Sequence, residues 1–413
     1  MTVLRAFEAC GLEIEYALVE RASLDILPIA DTVLRQLSGS GAPVNDYIHG
    51  ALGWSNELVM HVLELKNLDP RVDLGRLGAA FHDEVASMNN ALDAFQARLM
   101  PAGMHPWMNP ARETRLWPHD NAAIYRAYNR IFDCRRHGWA NLQSTHVNLP
   151  FGSDEEFARL YAVLRAIVPI LPALAAASPY ADGRAQEALD YRMEVYRTNA
   201  DAVPALNGEL VPEIVTSRAA YERNVLEPLY AAITPHDPGG DLQHEWLNAR
   251  GVIARFDRNA LEVRVMDTQE CPQADVALGA LVTDLAQSLY EREFSIVQAE
   301  TQLPNRILAS ILRSCIHDAD RARIHDTAFL QLFGVTRSEC TAGVLWEAIA
   351  ERLDRENARY ASLWRAPLEF ILVRGSLARR LLRAVGPRPD RAALHELYKA
   401  LCDALQAGKQ FDP

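Results

Sequence analysis

In the segment GLEIEY, Glu13 and Glu15 are two residues apart on an expected strand, so both carboxylates leave one face while Ile14 and Tyr16 leave the other. Adjacent anions repel unless a cation lies between them. A second acidic set lies in SNELVMHVLELK, where Glu57, His61, Glu64 and Lys66 interrupt Leu58, Val59, Met60, Val62, Leu63 and Leu65. Seven residues separate Glu57 from Glu64, which does not suit one face of a regular strand. Either a bulge or loop intervenes, or the two act from different elements. In NLQSTHVNLPF, Ser144, His146 and Asn148 alternate on one face, with Thr145 and Val147 on the other. In ARFDRNALEVRVMDTQ, Glu262 and Arg264 share a face, Val263 and Val265 share the opposite one, and Arg255 and Arg258 come just before. Each segment alone has a structural explanation: a solvated face for Glu13 and Glu15, a charged edge strand for Glu57 to Lys66, a hydrogen-bonded packing role for His146. Four such segments in one chain point instead to a common site.

Oxygen-rich ligands with an imidazole suit hard divalent cations, Mg²⁺ or Mn²⁺, better than zinc. Ions held there would offset the glutamates and attract phosphate, and neighbouring guanidinium groups are planar donors for phosphate oxygens. The combination points to metal-assisted phosphoryl transfer. A dinuclear metallohydrolase could use the same Glu and His set without ATP, and a non-catalytic nucleotide- or amino-acid-binding relative is a third reading. The chain has no P-loop, no GxGxxG and no kinase signature.

Composition narrows the partners. The 413 residues are 49% hydrophobic and 23% charged, enough apolar material for a sizeable core. The formal charge of −12 disfavours nucleic acid and anionic membrane as partners. Small-molecule substrates are the expected partners, and a homo-oligomer is left open. Lysine occurs only at Lys66, Lys399 and Lys409, and the 39 arginines are scattered rather than gathered in a patch. The longest uncharged apolar stretch, Ala166 to Ala177, is broken by Pro169 and Pro172 and falls short of the ~20 residues a membrane span needs. Arg5 and Glu8 interrupt any export signal, so a cytoplasmic location is expected. Six dispersed cysteines without CxxC spacing fit free thiols.

The elements that must position these residues follow from periodicity. Leu77, Phe81, Val85, Met88, Leu92, Phe95 and Leu99 recur every three or four residues, predicting one long helix from Leu74. Ser153 with Glu156 reads as a reciprocal capping box for a helix through Phe157, Leu160 and Leu164. A third helix follows Pro272. Strands are expected at 12–19, 59–65, 142–149, 252–256 and 261–266, and helices from about Glu293 to the end. The pattern gives an α+β catalytic core over roughly residues 1–290 with a helical region, 291–413, packed on it. His119, His137, His244 and the run Arg379, Arg380 and Arg383 read as surface residues, and His105 as a turn-shaping residue or a site residue with equal weight.

Taken in order, GLEIEY, ELVMHVLELK, GMHPW, STHVNLPF, ASPYADG and ARFDRNALEVRVMD resemble the glutamate–cysteine ligase family, specifically its bacterial GCS2 carboxylate–amine ligase branch. The resemblance runs over roughly residues 8–290. It implies a glutamine-synthetase-like fold, an antiparallel sheet forming a funnel that binds ATP and two or three Mg²⁺ ions, Mn²⁺ being an alternative. It further implies that Glu13, His146 and Glu262 hold the ion at the γ-phosphate, and that Glu15, Glu57 and Glu64 hold the ion near the acceptor carboxylate. Arg264 would contact the transferring phosphate, with Arg255 and Arg258 as further catalytic or nucleotide contacts, and Arg192, Arg197 and Asn148 would meet the substrate. His61 departs from the family pattern, and packing is as good an expectation for it as ligation. The implied reaction is amide formation between glutamate and an amine, cysteine by the family's name, through an acyl phosphate, as in glutathione biosynthesis.

Overall fold

The computed structural model describes residues 3–292 and 303–413. Its centre is an eight-stranded antiparallel sheet. The strands are β1 (Gly11–Glu20), β2 (Asp46–His49), β3 (Leu52–Asn56), β4 (Val62–Asn67), β5 (Ala97–Met100), β6 (Ser144–Pro150), β9 (Val252–Arg255) and β10 (Ala260–Asp267), with a separate small hairpin of β7 (Tyr180–Ala181) and β8 (Arg184–Ala185). The order is β2-β3-β4-β1-β6-β10-β9, and β5 pairs with the far end of β1.

Alternation in β1 explains how the sheet acquires two unlike faces. Leu12, Ile14, Tyr16 and Leu18 are fully buried in the main apolar core. Glu13 and Glu15 emerge on the opposite face, which then turns apolar at Ala17 and Val19 and joins a smaller core. Three helices cover the main-core face: Leu74–Leu92, Asp154–Ile167 and Pro272–Tyr290. Their approach is close enough that a Cβ on Gly279 would lie 2.7 Å from Leu12 Cδ2, so any larger residue there would have to displace the Leu12 side chain.

The first helix ends before the periodicity does. It stops at Leu92, a 3₁₀ turn covers Asp93–Phe95, and Leu99 lies on β5, because Gln96 adopts φ 52° and turns the chain back to pair with β1. Apolar spacing alone cannot distinguish a helix from a helix followed by a buried strand. Ser153 does cap its helix, its Oγ accepting from the Glu156 N–H (3.1 Å). Glu156 does not close the reciprocal box; its carboxylate accepts from the N–H groups of Gly152 and Ala6 and from Arg5. The expected strand 59–65 begins later, at Val62, after a turn.

The C-terminal region is mostly helical, its longer helices being Asn305–Asp318, Ala342–Arg355, Ala361–Arg374 and Arg391–Ala407, but Arg323–Ile324 and Cys340–Thr341 form a short antiparallel pair. Arg380 is not on a solvated face: it is fully buried and pairs with the equally buried Glu270 (2.6 Å). All six cysteines are free thiols, five of them buried. Among the described residues no helix is long and apolar enough to cross a membrane.

Candidate active site

Antiparallel register brings the acidic segments together. Glu13 on β1 lies opposite Lys66 on β4 and His146 on β6, and Glu15 lies opposite Glu64. Ser55 on β3 faces Glu64 from the other side. Glu57 follows the end of β3, so it and Glu64 reach the same place from different elements, which accounts for their seven-residue spacing. On β6, the N–H and hydroxyl of Ser144 donate to Glu15 Oε2 (2.7 and 3.0 Å), fixing that carboxylate. Beyond β6, Glu262 on β10 lies opposite Asn148.

All of these residues except Asn148 line one cavity of about 550 Å³. Two sets of side chains bring ligand atoms within 4.8 Å of one another: Glu13, Glu64 and His146, and Glu15, Glu57 and Glu64. The second matches the set expected at the acceptor side. The first groups Glu64 with Glu13 and His146, the two residues expected to share an ion with Glu262. Glu262 is instead gripped by arginines, Arg264 on its own strand and Arg255 Nη1 at 3.1 Å, and lies 3.9 Å from His146 Nδ1.

The electrostatics separate the carboxylates into two kinds. Burial, with Glu15 and Glu64 adding to it, pushes Glu57 well above the usual carboxylate range. Burial and then Glu13 raise Glu64 to about 7, despite Lys66. Glu262 is equally buried, but Arg264, His146 and Arg255 outweigh that cost and hold it well below the ordinary value. His146 is held above its ordinary value: its hydrogen bond to Glu13 (3.3 Å) and the charge of Glu262 prevail over desolvation. Carboxylates raised first by burial and then by one another's charge are what a hard divalent cation would relieve, so the donor set fits Mg²⁺ or Mn²⁺.

Three arginines face the acidic floor. Arg264 donates to Glu262 and to Tyr196 Oη (3.4 Å), and its buried Nε has no hydrogen-bond partner. Arg258 Nη1 is 3.6 Å from Glu13 Oε1, and Arg255 bridges Glu262 and Asp257. Arg192 also lines the cavity and is anchored from behind, its Nε donating to the buried Asp267 Oδ1 (2.5 Å). Asp267 also accepts from the Ala177 N–H and the Ser178 hydroxyl (2.7 Å each), and it lies so close to Gly103 that a Cβ there would be 2.4 Å from its carboxyl carbon.

Two of the expected substrate residues lie apart from this lining. Arg197 pairs with Glu194 on the surface (2.5 Å), and Asn148 is level with Gly11 and Glu262 but outside the cavity wall. His61 is a packing residue, fully buried with Nε2 bonded to the Ala140 carbonyl (2.8 Å) and its pKa lowered to about 4 by burial. His105 shapes the following turn, with Nε2 on the Leu24 carbonyl and Nδ1 accepting from the Trp107 N–H.

The opposite wall was not visible in the motifs. Ile124, Tyr125, Tyr128, Trp139, Leu206 and Trp246 line it from helices and loops between the strands, and Tyr128 packs 5.1 Å from Trp139 and 6.0 Å from Trp246, centroid to centroid. Helical aromatic residues read as core in a sequence, and only the tertiary fold turns this face toward the carboxylates. The buried Asp267 at the end of LEVRVMD was the one available signal for the anchor of Arg192.

Comparison with known proteins places these features in context. The family model for glutamate-cysteine ligase family 2 (GCS2) matches residues 9–403. An uncharacterized protein of Archaeoglobus fulgidus is 30% identical over 402 residues, covering 97% of this chain and 99% of its own. A protein of Bradyrhizobium sp. (strain ORS 278), provisionally named glutamate–cysteine ligase 2, is 26% identical over 293 residues, 68% of this chain and 62% of that relative's length. Among solved structures, glutamate–cysteine ligase of Francisella tularensis in complex with AMP superimposes with a TM-score of 0.65 at 12% identity, covering 96% of this chain and 89% of that one, and so shares the fold.

Proposed function

The chain belongs to glutamate-cysteine ligase family 2, a family of carboxylate–amine ligases, and from that premise we propose that it uses ATP to join the γ-carboxylate of glutamate to an amine through an acyl phosphate. Cysteine is the amine the family's name supplies. The observation that carries this reading is the meeting, in one cavity, of two acidic ligand sets with Arg264, Arg258, Arg255 and Arg192. A metallohydrolase would need the acids but has no use for so many guanidinium groups at the same floor.

Glu13, His146 and Glu64 would hold one Mg²⁺ ion, and Glu15, Glu57 and Glu64 a second. When bound, these ions supply charge neutralisation for the phosphates and the acid substrate. The protein's own residues do the rest. Arg192, anchored by Asp267, orients a substrate carboxylate. Arg264, with its unpartnered Nε, donates to an oxygen of the transferring phosphate, and Glu262 keeps its guanidinium in place. Arg258 and Arg255 offset charge on the nucleotide side. The carboxylate attacks the γ-phosphorus and ADP departs; the amine then attacks the acyl carbon and phosphate departs. No protein nucleophile takes part, so rate depends on alignment, charge stabilisation and the exclusion of water by the aromatic wall.

The test is ADP release from Mg-ATP and L-glutamate with a panel of amines that includes L-cysteine, products being read by mass spectrometry. Amine-dependent ADP with a new amide mass is expected. No ADP with any amine, although Mg²⁺ binds, would overturn glutamate ligation.

A further inference from the structure

Lys66 is one of three lysines in the chain and the only one in the cavity lining. Its ammonium donates to Ser55 Oγ (2.8 Å) and Glu64 Oε1 (3.1 Å) and lies 3.6 Å from Asp46 Oδ1. The Ser55 hydroxyl itself donates to Glu64 Oε1 (2.9 Å). One oxygen of Glu64 is therefore taken by two donors, although Glu64 is the residue common to both candidate metal sets. Only Oε2 is left free of hydrogen bonds among the described residues.

Charge counting leads the same way. Arg264 and Arg255 offset Glu262, which leaves Glu13, Glu15, Glu57, Glu64 and Asp46 as five carboxylates lining the cavity. Two divalent ions together with the Lys66 ammonium match these five, and Arg258, 3.6 Å from Glu13, adds a further positive charge. Lys66 is thus a positive charge already fixed on the shared ligand, directly across β1 and β4 from Glu13. A third divalent ion on this face would have to share Glu64 with an ammonium already seated there.

Resting on the metal-dependent ligase reading, we propose that the Lys66 ammonium is a built-in cation that limits this face to two divalent ions and weakens the binding of the ions held through Glu64. A unit charge a few ångströms from a divalent ion in a partly buried site changes affinity by on the order of tenfold or more.

The experiment is Mn²⁺ titration of the full chain followed by the electron paramagnetic resonance of free Mn²⁺, with circular dichroism confirming that each variant is folded. The wild type is expected to bind two ions. Lys66→Met is expected to bind a third or to tighten the weaker ion at least tenfold, Lys66→Gln to do the same should the methionine variant fail to fold, and Lys66→Arg to keep two ions at wild-type affinity. Three ions on the wild type, or unchanged or weakened binding in the folded Met or Gln variant, would overturn the role of Lys66 while leaving the ligase reading intact. Absence of Mn²⁺ binding in every protein would instead overturn the metal-dependent reading on which it rests.

Discussion

Arg264 and Glu262 depend on each other: the carboxylate orients the guanidinium, and the guanidinium makes a buried charge tolerable. Arg264→Lys keeps a charge but loses the planar fork, so a loss in kcat of about 10² to 10³ is expected with little change in KM for glutamate. Steady-state ADP release at saturating glutamate measures it, and a purely raised KM would reassign Arg264 to substrate binding. The other carboxylates predict a pH dependence. Glu57, Glu64 and His146 are all held above their ordinary pKa values, Glu64 at about 7, so a divalent cation has to displace protons that these groups hold more tightly than free side chains do. Mg²⁺ affinity should therefore rise with pH through about 7, with proton release detectable by calorimetry in buffers of different ionisation enthalpy. Stability has the opposite sign. A group whose folded pKa is raised contributes stability that is present below its unfolded pKa and lost as pH rises through the folded one. The metal-free protein should accordingly melt at a lower temperature at pH 8 than at pH 6, and Mg²⁺ should narrow the gap. Equal melting temperatures with and without Mg²⁺ at pH 8 would count against ion binding by these residues.

Strand alternation made the site legible, because side chains on a strand can leave only two faces. That rule placed Glu13 beside Glu15, His146 beside Ser144, and Glu262 beside Arg264. It could not say which carboxylates stand together, since the meeting of Glu64 with Glu13 and His146 depends on which strands are neighbours, and two arginines claim Glu262. The aromatic wall escaped because Tyr125 and Tyr128 lie on a helix whose apolar spacing has no signature distinguishing core from cavity. Leu99 was misplaced because a buried strand can continue a helix's apolar rhythm, and Arg380 because a charged triplet says nothing about a partner 110 residues away. Arg380 fixes the helix Leu377–Val385 to the segment after β10 through Glu270 and to the C-terminal residues through the Phe411 carbonyl. Arg380→Met strands the Glu270 carboxylate in the interior and should cost about 3–5 kcal/mol in urea unfolding, with part of the loss recovered on adding Glu270→Gln. A change below ~1 kcal/mol would mean that water reaches this pair.

At the scale of the whole chain, the helices after residue 303 complete the core that supports the eight-stranded sheet. Trp364 Nε1 and the Tyr360 N–H both donate to Asp284 on the helix Pro272–Tyr290 (2.7 and 2.9 Å), and Trp346 Nε1 donates to the Ile170 carbonyl (3.0 Å). Leu345, Ile349, Leu368 and Ile371 share one continuous apolar cluster with Leu281, Leu285 and the buried face of β1. From the other side, Arg98 on β5 pairs with Asp403, and Asn89 with Gln406. A boundary near residue 290 is a proposal about how the chain is organised, and this shared core gives it a measurable consequence. A chain ending at residue 290 would expose the outer faces of the helices that hold β1 flat and would leave Asp284 without its two donors. It should retain far-ultraviolet helical signal while losing near-ultraviolet tryptophan signal and binding a hydrophobic dye, whereas the full chain should unfold in one transition. Cooperative melting of residues 1–290 alone, with Mn²⁺ still bound, would establish an autonomous catalytic domain. The physical expectation is the reverse: the carboxylates of β1 can be held against one another only because the opposite face of the same strand is fully buried, and that burial is completed by helices from the far end of the chain.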